Sequence, residues 1–466
     1  MPFTIITLLA VSALVRFGLA LLFPLTADEA YYWLWAKHLS LSFVDHPPLI
    51  AYVNYLFTWG TENLALIRLG AVLLTTAITG LIYLVAKEVY DEKVAFWSAV
   101  LFQILPHFVV VWLTQFVELP LALCWMIALW LTLKIVKEGK AYYWYLLAVA
   151  LGFGYLSKYT MFLFWPCLLY YAWIEPEARS WLKRKEPYLA LVISLLFFAP
   201  VLFWNSQHAW VSFTFHSGKV SGDPWGANTL SFIADQLVHF TPFLLFTLFP
   251  VFRQNNQGDR TTKLLVALSC PVLLLFLVLS LKVKIWAHWP SVGYLAALPL
   301  TVNYLLVNGK SLRKFLAWIG GFTTLILLIL FFVSPGILLH QGDYARNYSL
   351  AKNVPAEYKL FAKTNVSAAL LEFYTKRPTY LVTGFLMTGH PWGEKQYELW
   401  GIPELKEAET VLYYGPDTEQ FREEASKRFY GVKELPDLKL YLVEDYITKN
   451  YKMFSLEGYR SEGSHP

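Results

Sequence analysis

Charged residues are scarce in this 466-residue chain, because Asp, Glu, Lys and Arg together make up only 15% of it. A soluble globular protein carries about 25% charged residues. Hydrophobic residues instead account for 57% of the chain, aromatic residues for 18%, and the mean hydropathy is +0.44. These values exclude an ordinary soluble domain and indicate a membrane protein, in which Trp and Tyr form interfacial belts.

Motifs for metal, redox or nucleotide chemistry are also missing. The cysteines Cys124, Cys167 and Cys270 lie in hydrophobic runs without metal-ligand spacing, and we interpret them as small apolar side chains. No glycine-rich phosphate loop follows a predicted strand. The net charge of +5 arises before residue 335, where basic loops explain it better than nucleic-acid binding does.

Long apolar runs are abundant, and a membrane-spanning helix needs about 20 such residues. The runs at 142–156 and 159–174 are short, so a re-entrant or tilted arrangement is an alternative for them. Residues 34–60 are a candidate for one further short membrane helix. The eleven candidate spans are 4–24, 62–86, 94–112, 117–136, 142–156, 159–174, 188–204, 231–252, 264–281, 290–307 and 315–334.

Lys and Arg are distributed unequally between alternate loops. With the N-terminus in the cytoplasm, fifteen of them fall in inner loops and five in outer loops. Because positive residues favour the cytoplasmic side, this orientation is the predicted one. It gives a transmembrane domain over 1–334, a first outer loop at 25–61 and a C-terminal domain over 335–466 on the outer side.

The pattern after residue 335 is typical of a small α/β domain with an open sheet. Helices are predicted where apolar residues recur at helical spacing, and strands where short β-branched or aromatic runs are bounded by turn residues. The predicted helices are 369–374 and 417–429, and the predicted strands are 379–382, 410–414 and 438–443.

The first outer loop carries three acids where the apolar pattern breaks. Thr26-Ala27-Asp28-Glu29 predicts a capping box, in which Glu29 reaches back to the helix start. Asp28 falls in the first turn, near the positive end of the helix dipole. Asp45 precedes His46-Pro47-Pro48, another predicted helix start. Two interpretations stay open: the acids only cap helices, or they form a functional site, since acids at a membrane surface are costly.

Ionisable residues from distant parts of the chain converge on this same outer level. Acids and bases gathered there are suited to bind a phosphate while a carboxylate handles a proton. The convergent residues are Asp28, Glu29, Asp45, His46, Glu118, Lys158, Lys284 and His288.

Three alternatives remain at this point. A divalent metal held by Asp45, His46 or His288 is one, although no HExxH or CxxC spacing supports zinc, so no cofactor is certain. A multispan transporter or lipid flippase would also carry intramembrane charges, but such proteins often show inverted repeats, and none is visible. A noncatalytic receptor or scaffold would not need three acids in one loop.

The motifs, taken in order, resemble those of the polytopic GT-C glycosyltransferases of the dolichyl-phosphate-mannose protein mannosyltransferase type. The likeness is closer to their bacterial branch, which includes the lipid A aminoarabinose transferase and the lipopolysaccharide galacturonic acid transferases. Glu118 stands where the family has Asp, and Asp45-His46-Pro47 replaces Glu-Lys-Pro. The matching motifs are Asp28-Glu29-Ala-Tyr-Tyr-Trp33, Asp45-His46-Pro47-Pro48, Arg68-Leu69, Val117-Glu118-Leu-Pro120-Leu121, Gly154-Tyr-Leu-Ser-Lys158, Lys284-Ile-Trp-Ala-His288-Trp-Pro290 and Phe373-Tyr374-Thr-Lys-Arg377-Pro378.

The resemblance implies a membrane all-α bundle of about 11–13 transmembrane helices with a C-terminal extracytoplasmic α/β domain. It implies an enzyme of the bacterial inner membrane that moves a sugar, with inversion, from a polyprenyl-phosphate sugar to a glycolipid acceptor such as lipid A. No nucleic acid is involved. A carboxylate that formed a covalent intermediate would give retention instead, and the sequence leaves this open.

The resemblance also assigns roles. Asp28 is the candidate general base for the acceptor hydroxyl, and Asp45 is the second catalytic candidate. The family lysine that would face the donor phosphate is absent, so His46, Lys158 or Lys284 is its candidate substitute. The candidates that bind the phosphate are Lys158, Lys284, Arg68 and His288, and those that bind the acceptor or sugar, or orient other groups, are Glu29, His46 and Glu118.

Overall fold

The computed structural model describes residues 2–22, 25–218, 224–333, 353–382, 394–435 and 451–460. These residues are mostly helical, with one small sheet near the C-terminal end. Contacts divide the chain into two compact units. The first comprises Met1–Ala20, His46–Val53 and Arg68–Ile329, and the second comprises Leu21–Asp45, Asn54–Ile67 and Leu330–Pro466. Most residues of the predicted first outer loop therefore cluster with the sheet, whereas His46–Val53 belongs to the first unit.

Helix is present in each of the eleven predicted apolar runs. Short 3-10 segments at Val111–Leu113, Tyr159–Leu163 and Pro176–Lys183 connect some of the helices. The α-helices up to residue 333 are Pro2–Leu22, Ala27–Lys37, Leu49–Thr58, Leu64–Val89, Glu92–Ile104, Pro106–Val110, Glu118–Glu138, Tyr142–Ser157, Phe164–Ile174, Lys185–Gln207, Val211–Ser217, Thr229–Phe240, Pro242–Asn255, Arg260–Ala267, Cys270–Leu279, Ser291–Val307 and Leu312–Val333.

By length and composition, six helices in the described residues can cross a membrane, or eight if two bent pairs each count as one span. The chain is thus a multi-pass membrane protein, with fewer long spans than the eleven predicted runs. Several runs form shorter apolar helices, among them Tyr159–Ile174 and Ser291–Val307. The six helices long enough to cross a membrane are Thr4–Leu22, Leu64–Val89, Glu118–Glu138, Lys185–Gln207, Arg260–Leu279 and Leu312–Ile329.

Prolines produce the two bent pairs. The run predicted as 94–112 breaks before Pro106 with a bend of 67°, and the run predicted as 231–252 breaks before Pro242 with a bend of 99°. Proline lacks an N–H group and disfavours helical backbone in the residue before it. Leu105 is accordingly extended, with ψ of 134°, and Thr241 has a φ of 65° and caps the next helix by accepting from the Leu244 N–H.

Helix Glu118–Glu138 is central in the first unit. Of its most apolar stretch 78% is buried, against 17% of the corresponding stretch in Thr4–Leu22. Its neighbours are helices Tyr142–Ser157 and Ser291–Val307. Large side chains such as Trp125 fill the core around it. The first turn of this helix is therefore held by packing on several sides.

The second unit contains a five-stranded mixed sheet. Its strands are β1 (Lys359–Ala362), β2 (Thr379–Leu381), β3 (Val411–Pro416), β4 (Phe429–Glu434) and β5 (Tyr451–Tyr459). Their spatial order is β2-β1-β3-β5-β4, with β1 parallel to β2 and β3, and β5 antiparallel to β3 and β4. The prediction of a small α/β domain with an open sheet is confirmed.

Helices Asn365–Thr375, Glu394–Trp400 and Glu419–Arg428 accompany the sheet. The predicted helices at 369–374 and 417–429 and the predicted strands at 379–382 and 410–414 match observed elements. The predicted strand at 438–443 lies outside the described residues.

Helix Ala27–Lys37 packs against helix Asn365–Thr375 within this unit. The Trp33 and Phe373 rings meet edge to face, with centroids 5.0 Å apart. Eight consecutive residues of the first helix, from Glu29 to Ala36, are buried. Most of the helix is thus buried, and Glu29 with it, whereas Asp28 in the same first turn is exposed.

Candidate active site

Three predicted site residues meet in the first unit, at the start of helix Glu118–Glu138. Lys158 Nζ forms an ion pair with Glu118 Oε1, and His288 Nε2 lies 3.3 Å from the same oxygen. The Glu118 side chain is only 2% exposed and that of Lys158 only 9%. A buried carboxylate requires such partners, because an unpaired buried charge is very costly. The three residues are far apart in sequence, so the fold has assembled them.

Local hydrogen bonds hold each member of this cluster in place. The Ser157 hydroxyl donates to the Val117 carbonyl at 2.9 Å, which joins the turn at Lys158 to the start of the Glu118 helix. The Gln236 amide donates to the Ala287 carbonyl at 3.1 Å and so fixes the loop that carries His288. Lys158 Nζ also lies 5.6 Å from the centroid of the Trp289 ring.

Lys158 and His288 have different electrostatic roles. Burial lowers the pKa of His288 to about 4, although the neighbouring Glu118 opposes the shift. At neutral pH His288 is therefore a neutral hydrogen-bond donor to Glu118, and Lys158 supplies the positive charge. Within the described residues, Glu118 Oε2 is buried and has no hydrogen-bond partner. The cluster can offer an ammonium group to a phosphate oxygen and a carboxylate oxygen to a hydroxyl.

The acids of the first loop lie in the second unit. The capping box is present: the Thr26 N–H donates to Glu29 Oε2 at 3.1 Å, and the Glu29 N–H donates to the Thr26 hydroxyl at 3.3 Å. Asp28 stands beside Glu29 in the same first turn. Asp45 Oδ2 accepts a hydrogen bond of 2.9 Å from the Tyr31 hydroxyl. Glu29 is thus explained as a cap, while Asp28 and Asp45 stay candidates for catalysis.

The remaining predicted residues have different surroundings. Arg68 is fully buried, and its Nη1 donates to the Ala20 carbonyl at 2.9 Å. Lys284 is exposed, and its ammonium group lies 4.6 Å from the Trp286 ring centroid. The His46 ring lies 6.2 Å from the His216 ring. In the described contacts, Lys284 is not brought to Glu118, although it shares a loop with His288.

A buried histidine pair was absent from the predicted site residues. His107 Nδ1 and His239 Nδ1 are 3.1 Å apart, so one of these nitrogens carries the proton between them. His107 is fully buried and directly follows Pro106, at the bend of the first bent pair. A histidine within a predicted span is itself a signal of function. Both His107 and His239 fall within predicted spans, so that signal could have identified each of them but not their pairing.

No group of three or more His, Cys, Asp or Glu side chains is arranged to hold a metal ion in the part of the chain that the structure describes. The predicted alternative of a metal at Asp45, His46 or His288 therefore has no ligand set among these residues.

The many apolar helices and the small C-terminal sheet form the architecture expected of the GT-C fold. Residues 45–204 match the dolichyl-phosphate-mannose-protein mannosyltransferase family. The chain is also 27% identical over 326 residues to the lipid A galacturonosyltransferase RgtD of Rhizobium johnstonii, and this match covers 68% of each chain.

Solved structures share the fold. ArnT from Cupriavidus metallidurans, bound to undecaprenyl phosphate, superposes with a TM-score of 0.66 at 13% identity, over 99% of both chains. The oligosaccharyltransferase of Archaeoglobus fulgidus gives a TM-score of 0.54 at 12% identity, over 90% of this chain and 71% of that one. The fold class and the class of enzyme predicted from the sequence are confirmed.

Proposed function

We propose that this enzyme transfers a sugar from a polyprenyl-phosphate donor to a glycolipid acceptor such as lipid A, at the outer leaflet of a bacterial inner membrane. The observation that carries the proposal is the buried cluster of Glu118, Lys158 and His288 in a chain with the GT-C fold. The undecaprenyl phosphate bound by ArnT and the lipid A modified by RgtD support the donor and acceptor classes.

Lys158 is the proposed ligand of the donor phosphate. As the anomeric carbon–oxygen bond breaks, the phosphate leaves with the electron pair and gains negative charge, so a preorganised cation lowers the barrier. Glu118 orients Lys158 through their ion pair, and His288 adds a hydrogen-bond donor. Lys284 and Arg68 remain secondary candidates, because Lys284 is exposed and Arg68 already holds the Ala20 carbonyl.

Asp28 is the proposed general base. It would accept the proton of the acceptor hydroxyl while the hydroxyl oxygen bonds to the anomeric carbon from the side opposite the phosphate, which inverts the configuration. The Asp28 side chain is exposed, so it is accessible to the acceptor. Asp45, held by Tyr31, would bind a sugar hydroxyl or orient the acceptor, and His46 would assist it.

The donor sugar is proposed to be a uronic acid, by analogy with RgtD. Its carboxylate would add a negative charge and therefore call for a second cation besides Lys158. Lys284 and the neighbouring Lys282 supply positive charge in the loop before His288. Neutral and uronic acid donors tested in parallel distinguish a second cation site from phosphate binding alone. In a Lys284→Gln variant, only the binding of the uronic acid donor should weaken.

The proposed orientation has a cytoplasmic N-terminus and a periplasmic C-terminal domain. The excess of Lys and Arg in the inner loops supports it. Alkaline phosphatase fused after residue 466 should be active in the periplasm, and fluorescent protein fused there should not fluoresce.

The test of function is transfer by purified protein in nanodiscs, with undecaprenyl-phosphate sugar and lipid A, read by mass spectrometry. Lys158→Met should lower kcat on the order of 100-fold, and Lys158→Arg should retain more activity. Lys134→Met is the matched control, since Lys134 pairs with Glu88 at 2.7 Å elsewhere in the same unit and should leave transfer within about twofold. Normal transfer by Lys158→Met would refute the phosphate role.

A further inference from the structure

The second unit contains a cavity of about 530 Å³ that no step of the proposed transfer uses. Small-molecule sites typically enclose about 300–1,000 Å³, so this cavity has the size of a ligand site. Its floor is buried and its rim is exposed. The lining side chains that matter here are Lys37, His38, Glu372, Tyr380, Tyr397 and Trp400.

Aromatic rings form one side of the cavity, and contacts fix the orientation of the Trp400 indole. It meets the Tyr397 ring edge to face, with centroids 5.1 Å apart, and it stacks with the His38 ring at 4.8 Å. Tyr397 is 4% exposed, whereas Trp400 and Tyr380 are only partly buried. A pyranose ring has a face of C–H groups that packs on such a rigid aromatic surface.

A paired acid and base form the polar side of the cavity. Lys37 Nζ lies 2.7 Å from Glu372 Oε1, and the Thr379 N–H donates to Glu372 Oε2 at 3.1 Å. Glu62 lies 3.9 Å from the same ammonium group. Two carboxylates thus offset one ammonium, which disfavours a phosphate ligand. Ammonium donors beside carboxylate acceptors suit the adjacent hydroxyls of an uncharged sugar.

The position of the cavity along helix Ala27–Lys37 relates it to the proposed base. Asp28 is in the first turn of this helix, and Lys37 is its last residue. Nine residues of α-helix span about 14 Å. A few linked pyranose rings cover such a distance.

We propose that this cavity binds an uncharged pyranose ring of the acceptor glycan, distal to the hydroxyl that receives the sugar. The aromatic surface of Trp400 binds the face of the ring, and the Lys37–Glu372 pair binds its hydroxyls. The assignment to the acceptor rests on the proposed function, whereas the binding of a saccharide does not.

Saturation-transfer NMR on the full chain in nanodiscs tests saccharide binding without any transfer assay. The probes are methyl β-D-glucopyranoside, methyl α-D-galactopyranoside and N-acetylglucosamine, with glucose 1-phosphate as the charged comparator. At least one neutral probe should receive saturation. Its signal should fall at least fivefold in Trp400→Ala and less in Trp400→Phe, which keeps an aromatic ring if the alanine variant does not fold.

Tyr430→Ala is the control, because Tyr430 is an aromatic residue of the same unit that is 66% exposed, and it lies on β4 away from the lining residues. This variant should leave the NMR signal unchanged. The proposal is overturned if no neutral probe receives saturation, if only glucose 1-phosphate does, or if folded Trp400 variants bind as the wild type does.

Transfer kinetics test the link to the acceptor. Trp400→Ala should raise the KM for a full-length glycolipid acceptor five- to tenfold, with kcat and the donor KM within twofold. The KM for an acceptor without its distal sugars should be the same in Trp400→Ala and in the wild type. Saccharide binding without transfer by the wild type would contradict the proposed function alone, whereas transfer without saccharide binding would contradict the cavity assignment alone.

Discussion

The hydroxyl of Tyr31 donates a hydrogen bond of 2.9 Å to Oδ2 of Asp45. The Tyr31 ring stacks on that of Tyr397, with an interplanar angle of 4° and centroids 6.5 Å apart. Next to these residues, the Val44 N–H donates to Gln396 Oε1 at 2.9 Å. The short helix Glu394–Trp400 therefore holds the segment that ends in Asp45, an acid of the proposed site.

Tyr31→Phe should shift the acid limb of the pH profile of kcat/KM to higher pH by about one unit. Burial, and then the nearby Asp45, raise the pKa of Tyr31 well above its usual value, so its hydroxyl stays protonated and donating. A hydrogen bond to the ionised carboxylate favours that form, and the phenylalanine removes the hydroxyl that donates it while it keeps the ring. An unchanged profile would show that Asp45 does not act as a carboxylate in the reaction.

Gln396→Ala should expose the Val44 amide to hydrogen exchange. The side-chain oxygen of Gln396 is the acceptor of that N–H group, and Gln396 is 2% exposed. Exchange measured by mass spectrometry over residues 38–48 should rise at least tenfold in rate. Lys395→Ala is the control, because Lys395 is an exposed neighbour on the same helix that pairs with Glu398. Equal exchange in both variants would mean that this hydrogen bond does not hold the loop.

Local features of this protein could be predicted from its sequence. The capping box depends on four consecutive residues, Thr26 to Glu29, and the structure shows both of its hydrogen bonds. The eleven apolar runs all contain helix, because helix formation in apolar runs of that length depends mainly on their composition. The strands β1, β4 and β5 were missed, because none of them stands out as a separate run between turn residues.

Features that depend on distant residues could be predicted only in part. The sequence placed Glu118, Lys158 and His288 at one membrane level, but not within a few ångströms of one another. The His107–His239 pair joins two bent helices, and no spacing in the sequence encodes it. The bends at Pro106 and Pro242 were missed because apolar composition continues across both prolines.

The Lys158–Glu118 pair should show strong thermodynamic coupling. Removing one partner leaves a buried unpaired charge, so Lys158→Met and Glu118→Gln should each lower the free energy of unfolding, the former by about 3–5 kcal/mol. The double variant should lose less free energy of unfolding than the sum of the two single losses, since no charge is left unpaired. Thermal unfolding in detergent measures the stability of the two single variants and of the double variant. Simple additivity would contradict the ion pair.

The folded state should lose stability as the pH falls from 7 to 5, partly through His288. Its pKa of about 4 in the folded protein is below the ordinary value, so the unfolded chain binds the proton first. From a reference value near 6.5, the contribution lost at pH 5 is about 2 kcal/mol. His288→Gln should reduce the pH dependence of Tm over this range, and His208→Gln should not. An unchanged slope in His288→Gln would contradict this assignment.

The most direct test of the central claim is mass spectrometry of the envelope lipids of the host, with the gene deleted and then complemented. The account predicts that deletion removes one sugar mass from lipid A or a related glycolipid. The wild-type gene should restore that mass, and Asp28→Asn, expressed at equal level, should not. An unchanged glycolipid profile on deletion, with altered movement of a lipid across the membrane, would contradict the assignment as a glycosyltransferase acting on these lipids.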